Sequence, residues 1–144
     1  MGPILDEGIA GYFIDPNDVA SSYYYKNGTA YNDAFGLSTV PNPYSLINPN
    51  PKVALLIDAA ASSGEAIAIA FIGRPNTRSF GAKGTCGYTT AVSPFILSDR
   101  AVLGIADAAM ADRNKNRFGG QVMPDEISLN GDSAVVAAIQ WLLN

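Results

Sequence analysis

The stretch Val53-Ala54-Leu55-Leu56-Ile57-Asp58-Ala59-Ala60-Ala61-Ser62-Ser63-Gly64-Glu65-Ala66-Ile67-Ala68-Ile69-Ala70-Phe71-Ile72 decides how the rest of the chain reads. Residues 53–57 are continuously apolar and β-rich, the pattern of a strand covered on both faces. A turn of small residues follows, and a helix is predicted from about Ser63 to Ile72, stopped by Gly73-Arg74-Pro75. Every residue from Ala66 to Ile72 is apolar, so that helix should be buried nearly all round. Strand, sharp turn and helix in this order make an α/β unit. Its turn lies at the carboxyl edge of a sheet, beside helix-start N–H groups that carry partial positive charge.

Upstream, Gly8–Asp15 reads as a strand closed by Asp15-Pro16-Asn17-Asp18. Ser22–Lys26, Asn27-Gly28 and Thr29–Tyr31 fit a hairpin with a tight two-residue turn. The tyrosines at 23, 24 and 25 alternate sides, one face packing and the other meeting solvent. From Leu37 to Lys52 the prolines and asparagines predict an irregular surface connection. Downstream, Thr77–Phe80, Pro94–Leu97 and Ala101–Ala108 are expected strands, the last two joined at Ser98-Asp99-Arg100. Asp112–Asn116 is a polar turn and Ile127–Leu129 a short extended piece. Asp132 should cap a helix over Ser133–Leu143, docked by Val135, Val136, Ile139, Trp141, Leu142 and Leu143. Residues 1–52 thus form a strand, hairpin and connection, and residues 53–144 the core of the domain.

The 144 residues, 48% hydrophobic and 15% charged, suit one globular domain. A net charge of −4 without a Lys/Arg cluster argues against nucleic acid and anionic membrane as partners. The longest apolar run, Ala66–Ile72, is too short to span a bilayer. Met1–Glu7 has no basic region and carries Asp6 and Glu7, unlike a signal peptide, and Asp6 stands where myristoylation wants Ser or Thr. The expectation is a cytosolic chain, or one whose targeting segment lies upstream. A single cysteine, Cys86, excludes an internal disulfide, and it reads as a small buried or half-buried residue.

The chain has no histidine. A Ser-His-Asp triad, a Cys-His dyad or a histidine zinc site therefore cannot be built from these residues alone. That disposes of the protease-like echo in Gly84-Thr85-Cys86-Gly87. Asp99, Asp107, Asp112 and Asp125 have no metal-ligand spacing and read as turn and cap residues, so no metal and no cofactor is expected. A base for any nucleophile here must be Lys, Asp or Glu, or belong to another polypeptide.

The turn holds Ser62-Ser63-Gly64-Glu65. Ser62-x-x-Glu65 is a capping box, and its spacing alone favours capping over catalysis. The same position is where a nucleophile would meet helix N–H groups able to stabilise an oxyanion.

Val53–Asp58 followed by Ala60-Ala61-Ser62-Ser63-Gly64-Glu65 resembles the nucleophile segment of the tail-specific (C-terminal-processing) serine peptidases. That family reads V-x-x-L-I/V-D/N, a short gap, then T-A-S and a following E. Gly73-Arg74 with Gly81, Phe95–Leu103, and Gly119-Gly120 with Pro124-Asp125 resemble later family motifs in the same order. The resemblance runs from about Val53 to the end of the chain, with a plausible extension upstream. It implies a ClpP/crotonase-like α/β core, here its C-terminal half, with a mixed sheet, a buried helix after the nucleophile strand and a C-terminal helix. It also implies hydrolysis of polypeptide substrates with Ser62 as nucleophile and the Ser63 backbone N–H as an oxyanion donor.

The sequence departs from the family at four points. Tyr88 stands where the Ser-Lys branch carries its lysine, while Lys83 falls at a variable position and reads first as a solvated loop charge, only secondarily as a base. Ala60 replaces the Thr of T-A-S, and Ala82 replaces the Glu of G-E-x-T. The upstream histidine of the tricorn-like and nisin-resistance-like branch, and the D-L-R-x-N-x-G-G segment, are not in the chain. The implied base comes from an N-terminal segment or a second chain, and the isolated chain should be inactive. The resemblance suggests an extracytoplasmic or cell-envelope setting. The same sheet edge also suits a peptide-binding module without catalysis, or a self-associating structural fragment.

Overall fold

The computed structural model describes residues 8–26, 29–32, 36–39 and 46–144, with side chains for 10–21 and 46–144. Met1–Glu7, the Asn27-Gly28 turn and the tyrosine side chains of the hairpin lie outside the described residues. The described fold is mixed α/β, with two sheets and two helices. The larger sheet is antiparallel and has strand order β4-β3-β2-β1-β8-β7. Its strands are β1 (Gly8–Ile14), β2 (Ala20–Lys26), β3 (Thr29–Asn32), β4 (Gly36–Thr39), β7 (Thr90–Ile96) and β8 (Val102–Asp112). The smaller sheet is parallel, in the order β5 (Val53–Leu56), β6 (Thr77–Gly81) and β9 (Glu126–Ile127).

The hairpin falls as expected, with Lys26 paired to Thr29 across the two-residue turn. β4 is an extra strand inside what reads as an irregular connection. Gly36–Thr39 precedes the prolines, so its amides are free to join a ladder. β8 is longer than expected because Ala108–Asp112 continues to pair, Ala109–Asp112 with β1. Val102–Ala108 is left paired with β7 alone, and this two-stranded arm exposes Ile96 and Val102. Asp107 sits within β8 rather than at a turn, whereas Asp99 and Asp112 do hold turns. Asp99 Oδ1 accepts from Ala101 N–H at 2.9 Å, and Asp112 Oδ1 accepts from Asn114 and Asn116 N–H at 2.8 and 3.0 Å. Asp125 accepts from the Ser79 N–H at 2.8 Å and the Ser79 hydroxyl at 2.7 Å, tying the approach to β9 onto β6.

Two apolar clusters lie on opposite faces of β5. Ile57 packs with Ala68 and Ile69 of α1 (Ser63–Phe71), Met110 and Val122, and Leu55 adds to them. Ala54 faces the other way, toward Phe80 and the Ala134, Ala138 and Trp141 side of α2 (Gly131–Leu143). Each fully buried side chain, such as Ile69 or Phe80, contributes about 1.5–3 kcal/mol. Side chains therefore pack on both faces of β5, but less fully than its sequence indicates, since none of its four residues is buried. The strand nonetheless sits at the edge of its sheet, and Leu56 is 54% exposed. In α1, Ile67 reaches solvent although the helix is otherwise largely buried.

The expected docking face of α2 is corrected. Small residues (Ala134, Ala138) let the helix sit close to Phe80, and only Trp141 of the expected large set joins them. Val135, Val136, Ile139, Leu142 and Leu143 point outward. The cap is Asn130, whose side chain accepts from Ser133 N–H at 2.9 Å, and Asp132 lies inside the first turn. Asn130 wins because its extended backbone geometry suits the N-cap position.

Gly81 makes the tightest backbone approach, since a Cβ there would lie 2.2 Å from the Ile57 carbonyl oxygen. Neither atom can shift without opening the ladder between β5 and β6. Gly81→Ala is expected to destabilise the fold by about 1–3 kcal/mol, read as a lower urea midpoint with unchanged slope.

Candidate functional site

The chain leaves β5 through Asp58–Ala61 and enters α1 at Ser62. Two non-glycine residues of this turn hold left-handed φ, Ala59 at 41° and Ser62 at 52°. Ser62, with ψ −111°, lies in a region that costs a non-glycine residue about 1–3 kcal/mol, and such geometry gathers at functional sites. The Ser62 carbonyl accepts the N–H groups of Glu65 and Ala66, each at 3.0 Å, and so starts the helix. Ser62 and Ser63 are both exposed, Ser63 at the first helical position.

The capping box is present in layout, but its carboxylate does the work. Glu65 Oε2 accepts from the Ser62 backbone N–H at 2.8 Å. The Glu65 N–H goes to the Ser62 carbonyl, and the Ser62 side chain faces the same N–H across the capping box without closing a cap hydrogen bond. Ser62 therefore stands exposed at the helix start, in its capping-box position.

Glu65 is 0% exposed, yet it carries a carboxylate. Its other oxygen, Oε1, accepts from the Gly87 N–H at 2.6 Å, and the Thr85 hydroxyl and Tyr88 N–H also turn toward it. Burial pushes the carboxyl pKa up, and the hydrogen bonds from Thr85, Gly87, Ser62 and Tyr88 outweigh it, so the group sits below its ordinary value. Sequence reading sees Glu65 only as the far end of a capping box. The further signal is a lone acid in a helix otherwise apolar over 66–72.

The carboxylate joins two chain segments distant in sequence. Cys86 N–H reaches the Ala60 carbonyl at 2.8 Å, and the Cys86 thiol lies 3.3 Å from the Ala59 carbonyl. Thr85 N–H bonds to the Val122 carbonyl at 3.1 Å, while the Thr85 hydroxyl accepts from Val122 N–H at 2.9 Å. Residues 82–89 are thereby stitched between the Ser62 turn and residues 120–122. Cys86 is exposed rather than buried, held against the turn by its backbone N–H and by its thiol on the Ala59 carbonyl.

Lys83 does not approach Ser62 through any hydrogen bond. Its Nζ pairs with Asp58 Oδ1 at 3.3 Å, with both side chains largely exposed. This is the solvated loop charge that its position suggests. The structure therefore brings Ser62, the Ser63 N–H and Glu65 together and leaves Lys83 at the rim. Among the described residues, no group of three or more His, Cys, Asp or Glu is placed to hold a metal ion. No described helix is long and apolar enough to cross a membrane.

No protein-family model matches the chain. It is 28% identical over 142 residues to the nisin-resistance protein of Lactococcus lactis subsp. lactis, covering 99% of this chain and 43% of that protein. Among solved structures, a lipoprotein from Streptococcus agalactiae shares the fold, with a TM-score of 0.68 and 23% identity over 99% of this chain and 47% of that one. The chain is thus distantly related over its whole length to a protein of the nisin-resistance type. It spans less than half the length of each relative.

Replacing Glu65 leaves the Ser62 and Gly87 N–H groups without their acceptor. Glu65→Ala is expected to cost at least about 2 kcal/mol. A carboxyl whose pKa is lowered on folding adds stability above its unfolded value, about 4.3, and loses it as pH falls through the folded value. The stability gap between wild type and Glu65→Gln should accordingly be full above about pH 5 and shrink below pH 4, as followed by denaturant titration.

Proposed function

We propose that this chain is the nucleophile-bearing half of a serine peptidase of the tail-specific type, with a ClpP/crotonase-like core. The observation that carries the reading is Ser62, an exposed residue held at φ 52° at a helix start, whose side chain closes no cap hydrogen bond. The distant relation to the nisin-resistance protein supports it, as does the order of motifs from Val53 onward.

In this reading Ser62 Oγ attacks the carbonyl carbon of a scissile peptide bond, and its proton passes to a base. The developing oxyanion is met by the Ser63 N–H and the start of α1. The C–N bond then breaks, the amine leaves with a proton from the same base, and water releases the acyl group from Ser62. Glu65 holds the turn in its strained form and does not touch substrate. The base lies outside this chain, because there is no histidine and Lys83 is engaged with Asp58. The substrate is a polypeptide, and residues 53–144 are the core of the domain that carries the nucleophile turn, with residues 1–52 as its strand, hairpin and connection.

The lack of a base within the chain also favours a second reading, a peptide-binding module that does not cleave. A serine-directed fluorophosphonate separates the two. Label should appear on Ser62 only when the remaining part of the domain is supplied, and vanish in Ser62→Ala. Label that persists in Ser62→Ala sinks the peptidase reading, and peptide binding without label or cleavage selects the module.

A further inference from the structure

We infer that Thr85 is a positioning residue for Ser62, its hydroxyl carrying the placement of Val122 through Glu65 to the nucleophile turn. The inference takes its functional meaning from the reading of Ser62 above, while the placement itself stands on separate observations.

Thr85 is 1% exposed and meets Val122 through two hydrogen bonds. Its N–H donates to the Val122 carbonyl at 3.1 Å, and its hydroxyl oxygen accepts from the Val122 N–H at 2.9 Å. A hydroxyl has one proton to give, and with Val122 on its acceptor side that proton is left for Glu65. The carboxylate in turn accepts from the Ser62 N–H at 2.8 Å. One chain of hydrogen bonds thus runs from the Val122 N–H through the Thr85 hydroxyl to the carboxylate that holds Ser62. Bonds in such a chain strengthen one another.

The far end of this chain is fixed. Val122 is buried and packs with Ile57, Ala68, Ile69 and Met110. A Cβ at Gly84 would lie 2.9 Å from the Val122 carbonyl oxygen, so the loop runs against this segment with no room for a side chain. The Ser62 turn is therefore referred to the apolar core and not to a surface loop alone. It needs such a reference, because φ 52° with ψ −111° persists at a serine only where the surroundings over-determine it.

The Ser62, Gly87 and Tyr88 donors to the carboxylate are backbone N–H groups, which every residue but proline carries. The Thr85 hydroxyl is the one partner of the four that depends on residue identity. All four are neutral, so hydrogen bonds and not a counter-charge orient the carboxylate. Burial raises its pKa, and the Thr85 bond is the largest of those that lower it.

Thr85→Val keeps the shape and removes the hydroxyl, and Thr85→Ser keeps the hydroxyl and removes the methyl. With circular dichroism checking the fold, Thr85→Val should speed amide exchange at Ser62 by about tenfold or more relative to Ile69 in the core. The Glu65 titration, followed by NMR at the Ser62 and Gly87 amides, should move to higher pH as a bond to the charged form is lost. Thr85→Ser should restore both. Labelling of Ser62 by the fluorophosphonate, in the setting described above, should slow by about tenfold or more in Thr85→Val and recover in Thr85→Ser. Exchange and titration unchanged in Thr85→Val, no recovery in Thr85→Ser, or labelling of Thr85→Val at the wild-type rate would each overturn the inference. If wild-type Ser62 takes no label while the amide results hold, the peptidase reading falls and the placement of the turn by Thr85 stands. Should Thr85→Val not fold, the wild type decides: the Thr85 amide must follow the Glu65 titration together with Ser62, and a Thr85 signal that does not respond contradicts the inference.

Discussion

The structure around the turn depends on one buried negative charge. A carboxylate removed from water is costly unless its oxygens are filled with hydrogen bonds, and Glu65 is supplied from its own helix start and from residues 85–88. That requirement fixes the Ser62 backbone in a region a serine does not choose, and it draws the loop after β6 across the turn. The strain at Ser62 and the loop's position are consequences of a single desolvation problem. The carboxylate, accepting from the Ser62 N–H, carries the closed hydrogen bond of the capping box.

The path of the chain through β5, the turn and α1 is legible because apolar runs and small residues leave few alternatives. The pairing of β2 with β3 and the hairpin at 98–100 are legible for the same reason, since turn chemistry is local. What the pattern misses is set by partners distant in sequence. β4 and the far end of β8 exist because neighbouring strands offer ladders, which no local preference reports. The face of α2 is the clearest case. Its large apolar residues read as the docking side, but close approach to Phe80 favours Ala134 and Ala138.

At the site, Ser62 and Ser63 can be located from residue types and motif order, and the absence of histidine is plain from the sequence. The role of Glu65 is only half visible there, because its second partner lies 22 residues away and touches through a backbone N–H. Backbone contacts leave no mark in side-chain identity. The position of Cys86 is hidden for the same reason, since the Ala60 and Ala59 carbonyls that hold it are main-chain groups.

The order of strands in the large sheet has a consequence for how the chain is made. β1 must wait for Ala109–Asp112 to emerge before its second edge is closed, a separation of about a hundred residues in a sheet otherwise built from adjacent hairpins. During synthesis β1 holds an unfilled edge while β5, α1 and β6 emerge, and the parallel sheet gains β9 only after β8 has closed that edge. The arm of β7 and β8 is therefore the clasp that joins an early half of the molecule to a late one.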